Sequence, residues 1–378
     1  MKRVDLCIFA HSTIYGQFNG FSFSWCSLPR DGGLAAASFY LPFRRAKIWP
    51  WENAWIVNGF FSWILAPAIA ASILVPACWD IISQAPAKAL FWSWFFGFLW
   101  GIGGLTFGLS IRYLGIALGY AIALGMCAVF GTLVPPIFDG SFGAIISSRS
   151  GQVILAGVLV CTLGIAMSGR AGFRKEKELS GEAKGASVAE FNFGKGLFMA
   201  VLAGVTSACM AFGFAAGKPI AALSVEAGVA PIWQNLPVLI VVLFGGFSLN
   251  FLWCAYLIIK RKNLGVFVGK RASGAAVDSD LPRLATNYFW CALAGVIWYL
   301  QFFFYGMGTT LMGAYEFSSW TLHMASIIMF STIWGIILHE WKGTRRRTHV
   351  WIAAGLIALA LSTIIIGWGN LLGASVGR

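Results

Sequence analysis

Charged residues are scarce in this sequence. Only 11% of the 378 residues are charged, and the 14 acidic residues face 27 Lys and Arg. Hydrophobic residues make up 58% of the chain, and its mean hydropathy is +0.77. A soluble protein of this size cannot hide so much apolar surface, because the residues available to cover it with polar groups are too few. The composition therefore excludes a soluble domain and predicts a membrane protein.

Metal-binding and redox motifs are also missing. The eight cysteines lie singly, mostly inside apolar runs, and none forms a CxxC pair or a metal-ligand spacing. His339-Glu340 lacks the second histidine of a zinc protease motif. We therefore predict no metal, no cofactor and no disulfide framework.

The excess of basic residues is the next feature to explain. A net charge of +13 can indicate a nucleic-acid partner. Here the basic residues lie in short clusters between apolar runs, which is typical of topology control in a membrane protein. We expect membrane lipids as partners and no nucleic acid.

Nine apolar runs are long enough to cross a bilayer. A spanning helix needs about 20 mostly apolar residues, and open strands would leave backbone groups unsatisfied in lipid. The runs cover residues 54–75, 90–110, 113–134, 152–169, 196–217, 234–259, 287–310, 319–339 and 350–372. The sequence therefore predicts an all-α polytopic membrane protein.

The N-terminal segment differs from the rest. Residues 33–43 look like the end of one more helix, but Pro29, Arg30 and Asp31 would lie in its middle. Residues 1–31 also lack the apolar core of a cleavable signal. We expect ten transmembrane helices with the first one defective, and an atypical segment 1–31. A wrong start codon or a frameshift upstream of Gly32 would explain that segment.

The positions of Lys and Arg predict the orientation. Loops after odd-numbered helices contain twenty of them, and loops after even-numbered helices contain three. Because cytoplasmic loops carry the excess of Lys and Arg, the odd loops are predicted to be cytoplasmic and both termini periplasmic. The expected location is the bacterial inner membrane.

An internal repeat is visible at a fixed offset of 198 residues. Trp100–Gly108 superposes on Trp298–Gly306, five predicted helices later. An odd number of helices in each repeat inverts the second copy, which is the arrangement of many transporters. We therefore predict two inverted five-helix halves, residues 32–169 and 196–378. The polar segment 170–195 would be the cytoplasmic linker between them.

Several longer stretches of the sequence are similar to those of a known family. They are Phe39–Trp55, Trp100–Gly115, Ala189–Leu197, Lys218-Pro219, Trp298–Tyr305 and Ser319–Met324, in order from about residue 33 to the C-terminus. With them the chain resembles the L-rhamnose–proton symporter family of the drug/metabolite transporter superfamily. The resemblance implies ten helices that import L-rhamnose, or a related sugar such as L-lyxose, together with protons.

Two ionisable residues near the ninth helix are candidates for proton coupling. Glu316 and His323 lie with Trp320 at spacings of four and three, one face of a helix. Charged groups inside a bilayer are costly, so such residues are functional candidates, and histidine titrates near neutral pH. The alternative is that Glu316 caps the helix in water and His323 bonds a backbone carbonyl.

The eighth helix offers a surface suited to a sugar. Trp298, Gln301 and Tyr305 share one face and provide an indole, an amide and a phenol, which suit the CH face and hydroxyls of a deoxy sugar. We add Trp320 to this substrate-binding set. The alternative is that these aromatic residues form interfacial belts.

Two amides and two cations complete the set of candidates. Asn58 on the second helix and Asn250 on the seventh are substrate-binding candidates, although lone amides also hold helices together. Arg112 is either an inward gate or a topology anchor. Lys218 has two similar interpretations: it is either a gate or a side chain that extends to the membrane interface. We expect Glu52, beside Trp51, at the level of the lipid headgroups.

Three functions remain open on the sequence. The first is proton-coupled import of L-rhamnose or a close relative. The second is export or facilitated movement of another small metabolite, as the wider superfamily allows. The third is a membrane enzyme acting on a lipid-linked sugar, which would need several carboxylates or a metal cluster at one interface, and this sequence supplies neither.

Overall fold

The computed structural model describes residues 24–46, 49–114, 116–178, 192–269 and 281–376, and every regular element in these ranges is helical. Ten long helices are found there: α1 Ser24–Ser38, α2 Trp51–Leu74, α3 Ala87–Leu114, α4 Ile116–Phe138, α5 Arg149–Glu178, α6 Phe193–Ala216, α7 Leu236–Lys260, α8 Leu281–Thr310, α9 Ser318–Ile337 and α10 Arg346–Val376. The prediction of an all-α polytopic membrane protein is confirmed.

Eight of these helices are long and apolar enough to cross a membrane. In the described residues they are α2, α3 and α5 to α10. The described helix α1 has 15 residues, and the apolar part of α4 that qualifies is Ile122–Phe138, shorter than the others. By length and composition alone, α1 and this part of α4 are shorter than the eight spans.

The first helix continues through the residues that were expected to make it defective. α1 runs from Ser24 to Ser38, and Pro29, Arg30 and Asp31 lie in its middle without interrupting it. A proline removes only one helical N–H, and its ring here packs against Gly308 of α8, where an added Cβ would lie 2.8 Å from the ring. Close packing on α8 therefore accommodates the proline, and the predicted boundary at residue 31 falls inside a helix.

The connection between α5 and α6 is shorter than the predicted linker, residues 170–195. α5 continues to Glu178 and α6 begins at Phe193. Basic and acidic residues at spacings of three and four, such as Arg174 and Glu178, support the helix beyond its apolar part. The polar residues from 170 to 178, from which a loop was predicted, therefore form the hydrated end of α5.

The second helix contains one π-helical turn. Trp51–Phe60 and Ala66–Leu74 are α-helical, and Phe61–Leu65 between them is π-helical. Gly295 of α8 crosses this turn so closely that an added Cβ would lie 2.6 Å from the Asn58 carbonyl oxygen. π-turns are frequent at functional sites, and this one brings α2 against α8 beside Trp298.

The helices pack in a reciprocal pattern. α1 packs on α8 and α9, and α6 packs on α3 and α4. α2 contacts α8, α7 contacts α3, and α2 and α7 contact each other. α5 and α10 form a separate close pair, in which Gly164 lies on Leu359 and Gly355 on Ser168. Small residues allow this close approach of two helix backbones.

The bundle has two ends with different polar groups. At the first, called here the Glu316 end, the C-terminus of α6 with Lys218 meets the turn before α9 with Glu316. At the second, called the Glu52 end, the start of α2 with Glu52 meets the end of α7 with Arg261. The site described next lies at the Glu316 end.

Candidate functional site: a cavity between four helices

A cavity of about 450 Å³ opens at the Glu316 end. Its described lining comes from the ends of α4, α6 and α8 and from the start of α9. The described lining residues are Gly131, Pro135, Pro136, Asp139, Ser141, Ala211, Phe214, Ala215, Lys218, Asn235, Tyr305, Thr309, Gly313, Glu316, Phe317 and Trp320. Four of the residues predicted for the site, Lys218, Glu316, Tyr305 and Trp320, are therefore brought together.

An ion pair lies at the mouth of the cavity. The Lys218 ammonium group contacts the Glu316 carboxylate, and the two side chains are 57% and 41% exposed. Glu316 lies in the turn after the short helix Gly313–Tyr315 and before α9, so the prediction that it shares a helix face with His323 is wrong. The reason is that α9 begins only at Ser318. Lys218 is held opposite by the proline-led helix Lys218–Glu226.

A second carboxylate lies near Lys218. Burial of the Asp139 carboxyl acts to raise its pKa, but the Ser141 hydroxyl (2.6 Å) and backbone N–H (2.9 Å) donate to the carboxylate. With the positive charge of Lys218 they lower the pKa of Asp139 below its usual value. The mouth of the cavity thus holds one cation between two carboxylates.

The floor of the cavity is aromatic. Tyr305 and Trp320 are 3% and 2% exposed, and their rings meet edge to face with centroids 5.3 Å apart. The Trp320 indole N–H donates to the Cys127 carbonyl oxygen at 3.0 Å, which fixes the ring against α4. Gly131 on α4 leaves room for that ring. A polar mouth above a rigid aromatic floor is suited to a small polyhydroxylated molecule with one apolar face.

His323 lies behind this floor. It is fully buried, its ring lies beside those of Tyr305 and Trp320, and its Nδ1 is 3.4 Å from the Pro29 carbonyl oxygen. Its Nε2 has no hydrogen-bond partner among the described residues. The contact with a backbone carbonyl agrees with the alternative given above, and the carbonyl belongs to α1. His323 is not among the described residues that line the cavity, and the rings of Tyr305 and Trp320 lie between it and that space.

A column of aromatic rings continues from the floor along α8. Phe302 lies 6.3 Å from Tyr305, and Trp298 lies 5.3 Å from Phe302, between ring centroids. Trp298 then meets Trp63 of α2 at 5.4 Å and Trp100 of α3 at 5.6 Å. The predicted face of α8 is therefore continuous with the cavity through ring contacts.

The predicted amides lie farther along this column. Gln301 is buried on α8, where Gly32 of α1 packs against its backbone. Asn58 is fully buried, and neither atom of its amide has a hydrogen-bond partner among the described residues. Asn250 accepts from the Trp55 indole at 3.1 Å and donates to the Gly246 carbonyl at 2.9 Å. None of the three is among the residues that line the cavity.

The Glu52 end is closed by a buried carboxylate. Glu52 is 1% exposed, and its oxygens accept from Arg261 at 3.1 Å and from the Asn263 amide at 2.8 Å. α2 turns this side chain towards the end of α7, so Glu52 is buried within the protein, and its level at the lipid headgroups stays a prediction. An apolar cluster that includes Phe43, Trp49 and Val266 packs beside it.

Sequence reasoning missed this pair and Asn235. A usable signal exists, since Pro50-Trp51-Glu52-Asn53 at the start of α2 is similar to Pro231–Asn235 just before α7. Asn53 donates to the Asn263 carbonyl at 3.2 Å, and Asn235 donates to the Gly306 carbonyl at 3.0 Å. The amide in each string ties a helix start to a neighbouring helix end. Arg112 lies in the last turn of α3, but its side chain is outside the described part of the chain.

Apolar spanning helices, a polar-mouthed cavity at one end and a buried ion pair at the other define a polytopic membrane transport protein. The protein family described as L-rhamnose-proton symport protein matches residues 27–372 of this chain. The chain belongs to this family. The match begins within the segment 1–31 and includes Pro29, Arg30 and Asp31.

Individual relatives agree with the family. The L-rhamnose-proton symporter of Cronobacter sakazakii is 37% identical over 339 residues, which are 89% of this chain and 95% of that protein. Those of Citrobacter koseri and Klebsiella pneumoniae subsp. pneumoniae are each 36% identical with the same coverage. The resemblance given by the sequence is confirmed. Because the family is one of transporters, the chain is not an enzyme, and the reading as a lipid-linked sugar enzyme is set aside.

Proposed function

We propose that this protein imports L-rhamnose, or a close relative such as L-lyxose, together with protons across the bacterial inner membrane. The observation that carries the proposal is the cavity at the Glu316 end, with a titratable ion pair at its mouth and a buried aromatic floor. The names and coverage of the relatives support the substrate. No cofactor is needed for this activity.

We further propose ten spanning helices arranged as two inverted halves, α1 to α5 and α6 to α10, joined by the segment between Glu178 and Phe193. The packing of α1 on α8 and α9, matched by that of α6 on α3 and α4, supports this arrangement. The excess of Lys and Arg in the odd loops supports cytoplasmic odd loops and periplasmic termini. The Glu316 end then faces the periplasm, and the Glu52 end faces the cytoplasm.

The sugar enters from the periplasm and binds along the aromatic face of α8. Tyr305 and Trp320 receive it first, and Trp298 and Gln301 lie farther along the same helix. Rings offer the apolar face of the sugar a stacking surface, and the amide can bond two hydroxyls. Asn58 supplies unused hydrogen-bonding groups beside this path. Asn250 is a second such amide only if the sugar replaces its bond to Trp55.

Glu316 couples the proton to the sugar. When its carboxylate is charged it holds Lys218 and ties α6 to α9 across the mouth. Protonation removes that attraction and frees Lys218 for Asp139 or for a sugar hydroxyl. A proton and a sugar that each favour the same form of the protein become coupled, because each shifts the equilibrium by its differential affinity. His323 is the second proton acceptor in this proposal.

Access at the cytoplasmic side requires the Glu52–Arg261 contact to open. The pair joins α2 to α7, one helix from each proposed half. Arg112 and Lys218 act at opposite faces, Arg112 as a cytoplasmic anchor or gate and Lys218 as the periplasmic one. Alternating access then consists of closing the Glu316 end while the Glu52 end separates.

The direct test is uptake of labelled L-rhamnose into cells that lack their own carrier. We expect accumulation that a protonophore abolishes. Uptake that only equilibrates and ignores the protonophore would point to a facilitator, and efflux from preloaded cells without uptake would point to an exporter. Failure to move L-rhamnose, with L-lyxose transported, would change the substrate and keep the mechanism.

A further inference from the structure

A second cavity, also of about 450 Å³, lies at the Glu52 end, outside the path proposed above. Its described lining is Arg170, Phe173, Arg174, Lys177, Glu178 and Arg345. The three basic residues of α5 follow each other at spacings of four and three, so they share one face of that helix. Arg345 faces them from the start of α10. Four cations thus converge on one space between two helices.

The single carboxylate in this lining is already engaged. Glu178 accepts from the Arg345 backbone N–H at 2.7 Å and from the Thr348 hydroxyl at 2.9 Å. The Arg345 N–H is the main reason that the pKa of Glu178 lies below its usual value, with smaller effects of Thr348, Arg174 and the Arg345 charge. Glu178 therefore caps α10 and neutralises only one of the four cations.

Hydrogen-bonding capacity remains in the cavity. The Arg174 Nε is buried and has no hydrogen-bond partner among the described residues. Its terminal nitrogen lies 3.8 Å from Glu178, a long ion pair. An anion with several acceptor oxygens would satisfy this group and the neighbouring Arg170 and Lys177, because guanidinium groups bind phosphate through paired hydrogen bonds.

Tryptophans indicate the depth of the cavity in the membrane. The Arg170 guanidinium lies over the Trp351 ring at 4.9 Å, and Lys175 next to the cavity lies over the Trp341 ring at 4.6 Å. Indole rings concentrate at the membrane–water interface, at the level of the lipid headgroups. The cavity is therefore placed where a lipid phosphate would lie.

The surface next to the cavity is suited to acyl chains. Exposed apolar residues continue from it along the outer faces of α5 and α10; they are Leu159, Leu163, Phe173, Val350, Ile357 and Ile364. α5 and α10 pack closely against each other, so both helices carry exposed apolar residues next to the cavity between them. A ligand that carries both a phosphate and long chains fits the cavity and the face together, whereas free phosphate uses the cavity alone.

From these observations we propose that the cavity between α5 and α10 binds the headgroup of an anionic phospholipid of the cytoplasmic leaflet, such as phosphatidylglycerol. Arg170, Arg174 and Arg345 hold the phosphate, and Lys177 contributes charge at the rim. This lipid site is separate from the sugar path, and its test does not depend on transport.

The test uses the purified full chain in a neutral detergent, with phosphatidylglycerol, phosphatidylcholine and inorganic phosphate as three separate additions. Thermal unfolding and native mass spectrometry measure binding. We expect phosphatidylglycerol to bind and to raise Tm, and the other two to have little effect at equal concentration. The double variant R170Q/R174Q should bind phosphatidylglycerol about tenfold or more weakly, since each basic residue near an anionic lipid contributes to binding.

The matched control is R346Q/R347Q. It removes the same charge from the same end of the bundle, at exposed residues that do not line the cavity. Equal loss of phosphatidylglycerol binding in both double variants would overturn the site in favour of general attraction to the positive surface. Saturation by inorganic phosphate at the same concentration would overturn the lipid assignment in favour of a free-anion site.

A single variant provides a second test in case the double variant R170Q/R174Q does not fold. Lys177 is exposed at the rim, so Lys177→Gln does not disturb the α5–α10 contact. We expect it to weaken phosphatidylglycerol binding about threefold to fivefold. Unchanged binding in Lys177→Gln together with unchanged binding in R170Q/R174Q would refute the proposal.

Discussion

The indole rings of Trp100 and Trp298 pack against each other with centroids 5.6 Å apart. They occupy the same position in the two strings that repeat at an offset of 198 residues. In a pair of inverted repeats, residues that lie near the symmetry axis meet their own counterparts. The contact therefore agrees with the proposed arrangement, in which the two halves meet at these rings.

Trp298→Ala should destabilise the protein strongly. The ring is buried against Trp63, Trp100 and Phe302, and a buried Trp→Ala change costs about 3–5 kcal/mol. Thermal unfolding in detergent measures the effect, and Trp298→Phe should lose less. Trp368→Ala is the matched control, because that ring is 61% exposed. Equal losses at both positions would contradict a central role for Trp298.

Glu316→Gln should separate sugar movement from proton coupling. The amide keeps the shape of the side chain and cannot carry the proton, so the accumulation ratio should fall to about 1 while sugar exchange continues. Accumulation under an imposed pH gradient and exchange counterflow are the two measurements. Glu226→Gln, an exposed change at the same end, should keep both activities. Undiminished accumulation in Glu316→Gln would remove this residue from coupling and leave His323 as the candidate.

Arg261→Gln should cost more stability than Glu52→Gln. Removing the arginine leaves a 1% exposed carboxylate with only Asn263, whereas removing the carboxylate leaves an arginine that is 58% exposed and can be hydrated. The expected cost of Arg261→Gln is about 1–3 kcal/mol. The double variant E52Q/R261Q should recover part of it. A double variant less stable than Arg261→Gln would show that the stranded charge is not the cause.

Glu178→Gln should lower Tm at pH 7 and have less effect in acid. The Arg345 N–H lowers the pKa of Glu178 in the folded state, so the ionised carboxylate adds stability above the ordinary pKa of glutamate, about 4.3. That contribution disappears as the pH falls through the folded pKa. Tm curves against pH for both proteins should therefore converge in acid. Asp80→Asn, at an exposed carboxylate, is the control for the loss of one negative charge.

Periodicity and composition predicted the helices well, and their ends less well. Apolar runs gave the cores of α2 to α10, but the charged last turns of α5 were taken for a linker because polarity alone does not distinguish a hydrated helix from a loop. Pro29 was taken as a sign of a defective first helix, since a packing partner such as Gly308 is invisible in one sequence. Helix existence follows from local pattern, whereas helix ends depend on neighbours.

The residues of the candidate site were predicted only in part, because their partners also depend on the fold. Tyr305, Trp320, Lys218 and Glu316 were named from chemistry, and the fold brings them to one cavity. The burial of Glu52 was not predicted, because it depends on Arg261, more than two hundred residues away along the chain. Such a partner cannot be read from spacing on one helix.

The two ion pairs at the ends of the bundle differ in exposure, and dissolved salt acts on them unequally. In 0.1 M salt the Debye length is about 10 Å, so mobile ions screen exposed pairs and reach buried ones poorly. Lys218 and Glu316 are both open to such ions, whereas Glu52 is enclosed. Ionic strength therefore acts more strongly at one end of this protein: it loosens the contact that faces the incoming solute more than the opposite closure, where Arg261 is 58% exposed but Glu52 is enclosed.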